Sequence, residues 1–385
     1  MDDGDARAKL GDLAASAGIR RIHVLAWRDL DDVEAGGSEL HIANVAKLWA
    51  EAGIDVTLRT SYAQGHPRRV TRDGYRVIRR AGRYLVFPRA IGSELTGRHG
   101  ERDALVEIWN GMPFFSPLWA RGPKVVLLHH VHAEMWKMVL GEEAPWLATM
   151  GESLERHVAP LAYRRARIVT LSESGKRDIV QQLHLRADRI DVVPPGVDPR
   201  FRPGGKRSAK PTLLAVGRLV PVKRYDLLLR AVAHARRTCP DLKLTIVGDG
   251  YERGALDAVV HALDADAWVT FAGHVTDGEL VKLYRRVWLA ASASAREGWG
   301  MWITEAAACG TPSVATRIPG HSDAIDDGRS GLLVDHTAEA LGDAISRVVT
   351  DDAMRAALSD GALRHAARFT WDETALGILR SLTHH

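Results

Sequence analysis

The stretch Arg296-Glu297-Gly298-Trp299-Gly300-Met301-Trp302-Ile303-Thr304-Glu305, running on through Ala306-Ala307-Ala308-Cys309-Gly310-Thr311-Pro312, reads as a turn that feeds a helix. A strand-like run, Trp288 to Ser294, precedes it, and the helix stops at Gly310 ahead of Pro312. Strand, glycine turn and helix in that order are the repeating unit of a parallel α/β sheet. Glycines flank the helix start, so bare backbone N–H groups face whatever docks there, and a helix N-terminus favours an anion. One carboxylate, Glu297, stands before the helix and another, Glu305, lies inside it. A phosphate in the middle with hydroxyl-bearing sugars at both ends would suit that pattern, which points to a nucleotide sugar.

Outward from this stretch, strand and helix patterns alternate along the whole chain. In the first half, strands are expected at Ile22–Trp27, Asp55–Thr60, Leu105–Trp109, Lys124–His129, Ile168–Ser172 and Ile190–Pro194. Helical patterns fall between them, such as Ser38–Ala52 and Thr149–Arg165. A loop rich in Pro, Gly and basic residues, Pro195 to Pro211, interrupts the rhythm. It restarts with strands at Thr212–Val216, Leu242–Val247, Val269–Ala272, Trp288–Ser294, Ser313–Thr316 and Gly331–Val334. The fold class is α/β: two Rossmann-like, doubly wound domains facing each other across a cleft, with ligands at the carboxyl ends of the strands.

Composition limits the alternatives. At 385 residues, 46% hydrophobic and 26% charged, the chain suits two ordinary soluble domains. Cys239 and Cys309 cannot make a disulfide framework and match no metal-ligand spacing. No apolar run approaches a membrane span, and the N-terminal segment does not read as a signal peptide, so the expected location is cytoplasmic. The net charge of +4 is small for this length and its basic residues are scattered, which argues against nucleic acid as a partner.

Other strand ends carry their own signals. Thr212–Val216 runs into Gly217-Arg218-Leu219-Val220-Pro221-Val222-Lys223-Arg224, with a helix expected to start near Lys223. Arg218 offers a planar fork of donors and Lys223 a compact charge, a pair suited to a diphosphate. Of the adjacent Lys223 and Arg224, Lys223 is the better candidate. Val247-Gly248-Asp249-Gly250 and Phe271-Ala272-Gly273-His274-Val275 close the next two strands. Each is either an ordinary turn or, at Gly248, His274 and Val275, an edge for the base. Ala35-Gly36-Gly37-Ser38-Glu39 precedes a helix, with Ser38 as the N-cap candidate and Gly37 able to approach a phosphate or sugar. His129-His130-Val131-His132 ends a strand; no acidic or Cys partner completes a metal site, and His129 is the best placed to reach the cleft. Trp109, Trp119, Trp136 and Trp146 could stack on an acceptor or simply fill the core.

These residues together resemble a retaining glycosyltransferase of family 4, with the GT-B fold, over nearly the whole length. Glu297-Gly-Trp-Gly-Met…Glu305 follows the family's E-G-F-G-(x)4-E signature, and Gly217-Arg218…Lys223 its G-R-(x)4-K motif. Val193-Pro194-Pro195-Gly196-Val197-Asp198 resembles the segment entering the interdomain linker, and Phe369-Thr370-Trp371 the segment whose helix crosses back onto the first domain. Trp299 stands in place of the usual Phe, Trp302 is bulky for its place, Pro195 replaces a common Asn, and His130 replaces an Asp often found after the histidine. The resemblance implies an acceptor-binding domain over 1–200, joined by 366–385, and a nucleotide-sugar-binding domain over 201–365.

It also implies roles. Arg218 and Lys223 would hold the donor diphosphate, joined by the backbone of Gly300, Met301 and Trp302. Glu305 would take the ribose hydroxyls, Glu297 the transferred sugar, His129 the same sugar from the opposite wall, and Gly37 the diphosphate or the acceptor. Gly217, Gly248, Gly298, Trp299, His274 and Val275 would complete the donor site. No metal and no cofactor are expected beyond the nucleotide-diphosphate sugar itself, because two cations and a helix dipole can neutralise the leaving group. The acceptor, whether small molecule, glycan or lipid, is not legible, and no amphipathic anchor supports membrane contact.

Competing readings differ in what they need. A glycosidase needs carboxyls ~5–10 Å apart, whereas eight helical residues span roughly 12 Å. A dehydrogenase would want Gly-x-Gly-x-x-Gly after the first strand, where this chain has Trp27-Arg28-Asp29-Leu30. A GT-B-like sugar-nucleotide epimerase stays open until products are analysed. A non-catalytic sugar-nucleotide binder would be expected to lose Glu297, Arg218 or Lys223, and all three are present.

Overall fold

A computed structural model describes residues 3–132 and 145–384. By its contacts the chain forms two units, Met1–Gly196 with Trp371–His385, and Val197–Thr370. Trp136 lies outside the described residues.

The first unit is built on an eight-stranded sheet in the order β3-β4-β2-β1-β5-β6-β7-β8. Its strands are β1 Arg21–Leu25, β2 Asp55–Thr60, β3 Arg69–Arg72, β4 Tyr75–Arg79, β5 Ala104–Trp109, β6 Lys124–Leu128, β7 Ile168–Thr170 and β8 Ile190–Val192. Every pairing is parallel except β3 with β4. The expected strands are present, each within a few residues of its anticipated ends. The β3–β4 hairpin is an addition. Its turn is Asp73-Gly74, both at positive φ (45° and 85°), which is the chemistry of a tight two-residue hairpin. Strands buried on both faces read as apolar runs; β5 is buried at all six positions, Glu107 included.

Helix Gly37–Glu51 turns Ile42, Val45, Ala46 and Trp49 inward, the i, i+3, i+4, i+7 stripe of a core-facing helix. The C-terminal helix Trp371–Thr383 packs beside it, and the Trp49 indole N–H donates to the Ala375 carbonyl at 3.1 Å. Helix Asp3–Ser16 adds Leu10 and Ala14 to the same core. Two local details differ from expectation. Ser38 does not cap its helix: Gly36 is the N-cap, and Glu39 at N3 accepts the Gly36 N–H at 2.9 Å. A glycine with extended backbone needs no side chain when the N3 carboxylate reaches back. The expected helix Thr149–Arg165 is instead Pro145–Ser153, a π-helical turn Leu154–Val158, and Ala159–Tyr163.

The second unit has a six-stranded, all-parallel sheet in the order β11-β10-β9-β12-β13-β14. Its strands are β9 Thr212–Val216, β10 Lys243–Val247, β11 Val269–Gly273, β12 Leu289–Ser292, β13 Ser313–Thr316 and β14 Gly331–Val334. Helices Tyr225–Ala235 and Ala338–Thr350 pack together over one face, where Leu228, Leu229, Val232, Leu341, Ile345 and Val348 are buried.

Strand order fixes where each unit can hold a ligand. In an open parallel sheet the crevice forms where the order reverses, beyond the carboxyl ends. In the second unit that point lies between β9 and β12, paired through Leu213 with Leu289 and Leu214 with Ala290. The two loops flanking it are residues 217–224 and 293–300. In the first unit the reversal falls between β1 and β5, flanked by residues 26–36 and 110–115.

Candidate active site

The β9/β12 switch point brings together Gly217-Arg218…Lys223 and Glu297-Gly-Trp-Gly. The helix expected near Lys223 begins later, at Tyr225; Pro221–Lys223 form a 3-10 turn and Arg224 sits at φ 49°. That turn aims Lys223 across the crevice, where its ammonium pairs with Glu297 Oε1. Ser294 Oγ donates to the same oxygen at 3.1 Å. Burial pushes the Glu297 carboxyl up, but Lys223, His321 and the hydrogen bonds outweigh it and hold it below its ordinary value. Arg218 is exposed and, among the described residues, makes no ion pair or side-chain hydrogen bond.

Helix Met301–Ala308 starts from Gly300 at φ 88°, and no side chain caps it. Its first amides are therefore available to an anion. The Trp299 and Trp302 side chains are not part of that opening. Trp299 is buried edge-on against Phe369 at 5.1 Å and Trp302 against His321 at 6.1 Å. Both indoles pack in the interior, and it is the backbone of Gly300, Met301 and Trp302 that lines the helix start. Gly298 is half-buried within the same turn.

Glu305 sits one face further along the helix. The Tyr284 hydroxyl donates to its Oε2 at 3.2 Å, and burial pushes the carboxyl up to about 7. Their surroundings thus shift Glu297 and Glu305 in opposite directions, the one held below and the other pushed above the ordinary carboxyl range. Because the folded value exceeds the ordinary 4.5, the native state binds the extra proton. Stability from this group is present at low pH and is lost as pH rises through 4.5 to about 7. Glu305→Gln should therefore melt above wild type at pH 8 and close to it at pH 5; equal melting temperatures at both would contradict this assignment.

Glycines make the crevice possible. An added Cβ on Gly248 would lie 2.1 Å from the Gly217 carbonyl oxygen. Gly248 is thus a packing glycine that lets the loop after β10 touch the Arg218 loop; direct donor contact is not needed to explain it. Gly217 itself would place a Cβ 3.2 Å from Lys223 Cε, and the Tyr225 hydroxyl donates to its carbonyl at 3.0 Å. His274 is exposed and Val275 half-buried in the loop after β11, beside the Gly248 N–H to Gly273 carbonyl bond of 2.8 Å.

Gly320 and His321 were not anticipated. Gly320, at φ 88°, would put a Cβ 2.5 Å from the Glu297 carbonyl, so it seats the Glu297 turn. His321 is fully buried, donates from Nδ1 to the Thr316 carbonyl at 2.8 Å, and is pushed down to about 4 by burial. The available signal was Pro319-Gly320 just past strand Ser313–Thr316.

In the first unit, residues at the β1/β5 switch point also converge. Gly37 opens its helix, the Asn110 amide donates to Ser38 Oγ at 3.0 Å, and a small pocket is lined by Trp27, Arg28, Ser38, Glu39 and Asn110. Strand β6 stops at Leu128, so His129 is the first residue past it rather than the last within it. It is buried, and its Nε2 lies 2.8 Å from His41 Nδ1. The His130 and His132 rings stack on each other at 4.5 Å. Trp109 is core, Trp119 is half-buried with its N–H on the Phe114 carbonyl, and Trp146 is 70% exposed. Among the described residues no group of three His, Cys, Asp or Glu side chains could hold a metal ion, and no helix is long and apolar enough to cross a membrane.

Two doubly wound units, one carrying an open helix start beside two cations and two carboxylates, define an anion- and sugar-handling protein of the GT-B fold. The description "Glycosyltransferase Family 4" fits residues 35–201 and "Glycosyl transferases group 1" fits residues 198–365. The chain belongs to this retaining family 4 type of glycosyltransferases. A D-inositol 3-phosphate glycosyltransferase of Thermobispora bispora is 31% identical over 89% of this chain and 88% of its own length. That of Acidothermus cellulolyticus is 38% identical over 55% of this chain, and the chain spans about half (52%) of that relative's length. Among solved structures, sucrose-phosphate synthase from Thermosynechococcus elongatus superposes with a TM-score of 0.79 at 19% identity, covering 93% of this chain and 97% of that one. Anabaena HepE, solved with UDP and glucose, gives 0.74 at 19% identity, covering 95% and 100%. At those identities the likeness establishes the fold.

Proposed function

We propose that the protein transfers a sugar from a nucleotide-diphosphate sugar to an acceptor hydroxyl, with retention at the anomeric carbon and without a metal ion. The observation that carries this is the β9/β12 crevice: exposed Arg218, the Lys223–Glu297 pair and the uncapped start of Met301–Ala308 on adjoining loops. Arg218, Lys223 and the helix amides bind the diphosphate and stabilise the charge that develops as it leaves. Lys223, with His321 and the hydrogen bond from Ser294, holds the Glu297 carboxyl below its ordinary value, so Glu297 can accept from sugar hydroxyls. Glu305 takes the ribose hydroxyls.

In the reaction the acceptor oxygen bonds to the anomeric carbon as the bond to the diphosphate breaks. The acceptor proton passes to an oxygen of the departing diphosphate on the same face. The names of the relatives make a polyol phosphate the first acceptor to try, and the UDP bound by HepE makes UDP-sugars the first donors.

The test is a calorimetric panel of UDP-, GDP-, ADP- and dTDP-sugars, each with and without EDTA, followed by product analysis. One donor bound selectively, unaffected by EDTA, and transferred with retention is the expected result. Binding abolished by EDTA would overturn the metal-free mechanism, and a donor epimerised rather than transferred would overturn the activity.

A further inference from the structure

Basic residues that lie scattered along the sequence are gathered, in the first unit, on one face of the sheet. In the row crossing β1, β2, β4 and β3, Leu25 pairs with Arg59, Arg59 with Ile78, and Ile78 with Arg69. Paired residues point to the same face. Arg59 and Arg69 therefore flank Ile78 on the side where Leu25 packs with Val86, Phe87 and Ala90 of helix Val86–Leu95. Arg80 lies two residues beyond Ile78, hence on that face as well, and its N–H donates to the Thr60 carbonyl at 2.9 Å. The helix adds Arg89, whose carbonyl accepts from Arg59 Nη2 at 3.4 Å. On the opposite face of the same hairpin, Arg72 and Arg79 are paired with Asp29 and Asp31. Among the described residues Arg69, Arg80 and Arg89 have no carboxylate within ion-pair distance.

Arg59 is the centre of this group and is only 2% exposed. A guanidinium so enclosed ordinarily faces a carboxylate, because an unmatched buried charge is costly. Here it faces an imidazole: Arg59 Nη1 donates to His99 Nε2. Arginine has donors only, so His99 Nε2 is the acceptor and the ring is neutral. Burial and Arg59 push His99 down to about 4. The contact satisfies one N–H but adds no negative charge. Glu94 opposes the charge from nearby, yet its oxygens are held by His23 Nδ1 at 2.9 Å and Arg102 Nε at 2.9 Å. Arg59 Nε is buried without a hydrogen-bond partner. Burial, with Arg80 and Arg89 beside it, lowers Arg59 to about 10, so it is still a cation at neutral pH.

We propose that Arg59, Arg80 and Arg89, with Arg69 on the edge strand, form a phosphate-binding site on this face of the first sheet. A planar carboxylate is satisfied by a single arginine fork, whereas several forks arriving from two strands and a helix suit a tetrahedral group with three charged oxygens. The phosphate can belong to a soluble phosphomonoester or to a lipid headgroup. The site lies within the first unit and does not depend on the reading of the β9/β12 crevice.

The experiment is a thermal melt of the full chain in chloride buffer with added inorganic phosphate at constant ionic strength. Wild type should gain roughly 5 °C at a phosphate concentration ~100 times its dissociation constant. Arg59→Met removes the buried charge while keeping an apolar stem, so without phosphate it should melt at or above wild type, and added phosphate should not raise it further by binding. Phosphate also stabilises proteins by exclusion from their surface, but that effect is the same in both proteins and cancels in the comparison. Arg218→Ala should keep the wild-type response, which separates this site from the donor crevice. The second arm is cosedimentation with phosphatidylcholine vesicles, with and without phosphatidic acid. A phosphate response lost in Arg59→Met assigns a soluble phosphomonoester. Binding to the phosphatidic acid vesicles alone, lost in the same variant, assigns a headgroup. The double variant Arg80→Ala, Arg89→Ala alters side chains at the surface and should weaken either response, so it decides if Arg59→Met fails to fold. Equal responses in wild type and in both sets of variants, or no response to either probe, overturns the proposal. A response lost in Arg218→Ala and kept in Arg59→Met overturns it too, while supporting the diphosphate site.

Discussion

Lys223→Ala is expected to lower kcat/KM by about two to three orders of magnitude, the scale seen when one preorganised charge-stabilising donor is removed. Two losses combine in this variant. The cation proposed to face the diphosphate disappears, and Glu297 loses its counter-charge while staying nearly enclosed, with 14% of its side chain exposed. Burial is the largest influence on Glu297 and pushes its carboxyl up; Lys223 is the largest influence holding it down. Without Lys223 the carboxyl should rise, so the variant's residual activity should also acquire a basic-shifted dependence on Glu297 ionisation. Arg218→Ala separates the terms. Arg218 is exposed and has no ion-pair partner among the described residues, so its removal should cost activity comparably but leave the melting temperature unchanged. Steady-state kinetics across pH with a thermal melt for each variant makes the comparison. Wild-type-like turnover in either one defeats the assignment of the diphosphate site.

Gly248→Ala should unfold the second unit at a distinctly lower temperature. Its Cβ would lie 2.1 Å from the Gly217 carbonyl oxygen, and its φ of 126° is one that a side chain resists. Backbone cannot yield as a flexible side chain can, so the cost is that of an overpacked core, about 1–3 kcal/mol. For a unit of this size that corresponds to roughly 2–10 °C. Because the displaced atom belongs to the loop carrying Arg218, donor affinity should fall with stability. Gly254→Ala is the control: it lies in helix Arg253–Ala262 with nothing within 4 Å of an added Cβ. There alanine should be neutral or slightly stabilising. Equal melting of Gly248→Ala and wild type would show that the loops are not in contact.

Much of the architecture was readable because parallel strands buried on both faces leave apolar runs that periodicity detects. Thr212–Val216 and Ser313–Thr316 needed no adjustment. The β3–β4 hairpin escaped because its strands are short and carry arginines: Arg69, Arg72, Arg76 and Arg79. The fully buried Arg79 is neutralised by Asp29 and Asp31 from another loop, a partnership no local pattern announces. The Asp73-Gly74 turn was the one legible clue. In the site, Glu297, Glu305, Arg218 and Lys223 announce themselves because charged residues beside glycines at strand ends have few structural uses. Gly320 and His321 do not, since a glycine in a turn and a histidine on an apolar face are ordinary until their neighbours are known.

Residue order along the chain decides the alternation of strand and helix, the position of each glycine turn, and the charges placed at the strand ends. It does so because periodicity, capping and turn chemistry act over a few residues. Which of those turns become neighbours is decided by the order of strands in the sheet, a property of packing between segments some 74 residues apart, as Lys223 and Glu297 are. The same holds for protonation. Glu297 and Glu305 are one residue type in one short stretch, and it is the Lys223 counter-charge at one and burial without an adjacent cation at the other that set them apart.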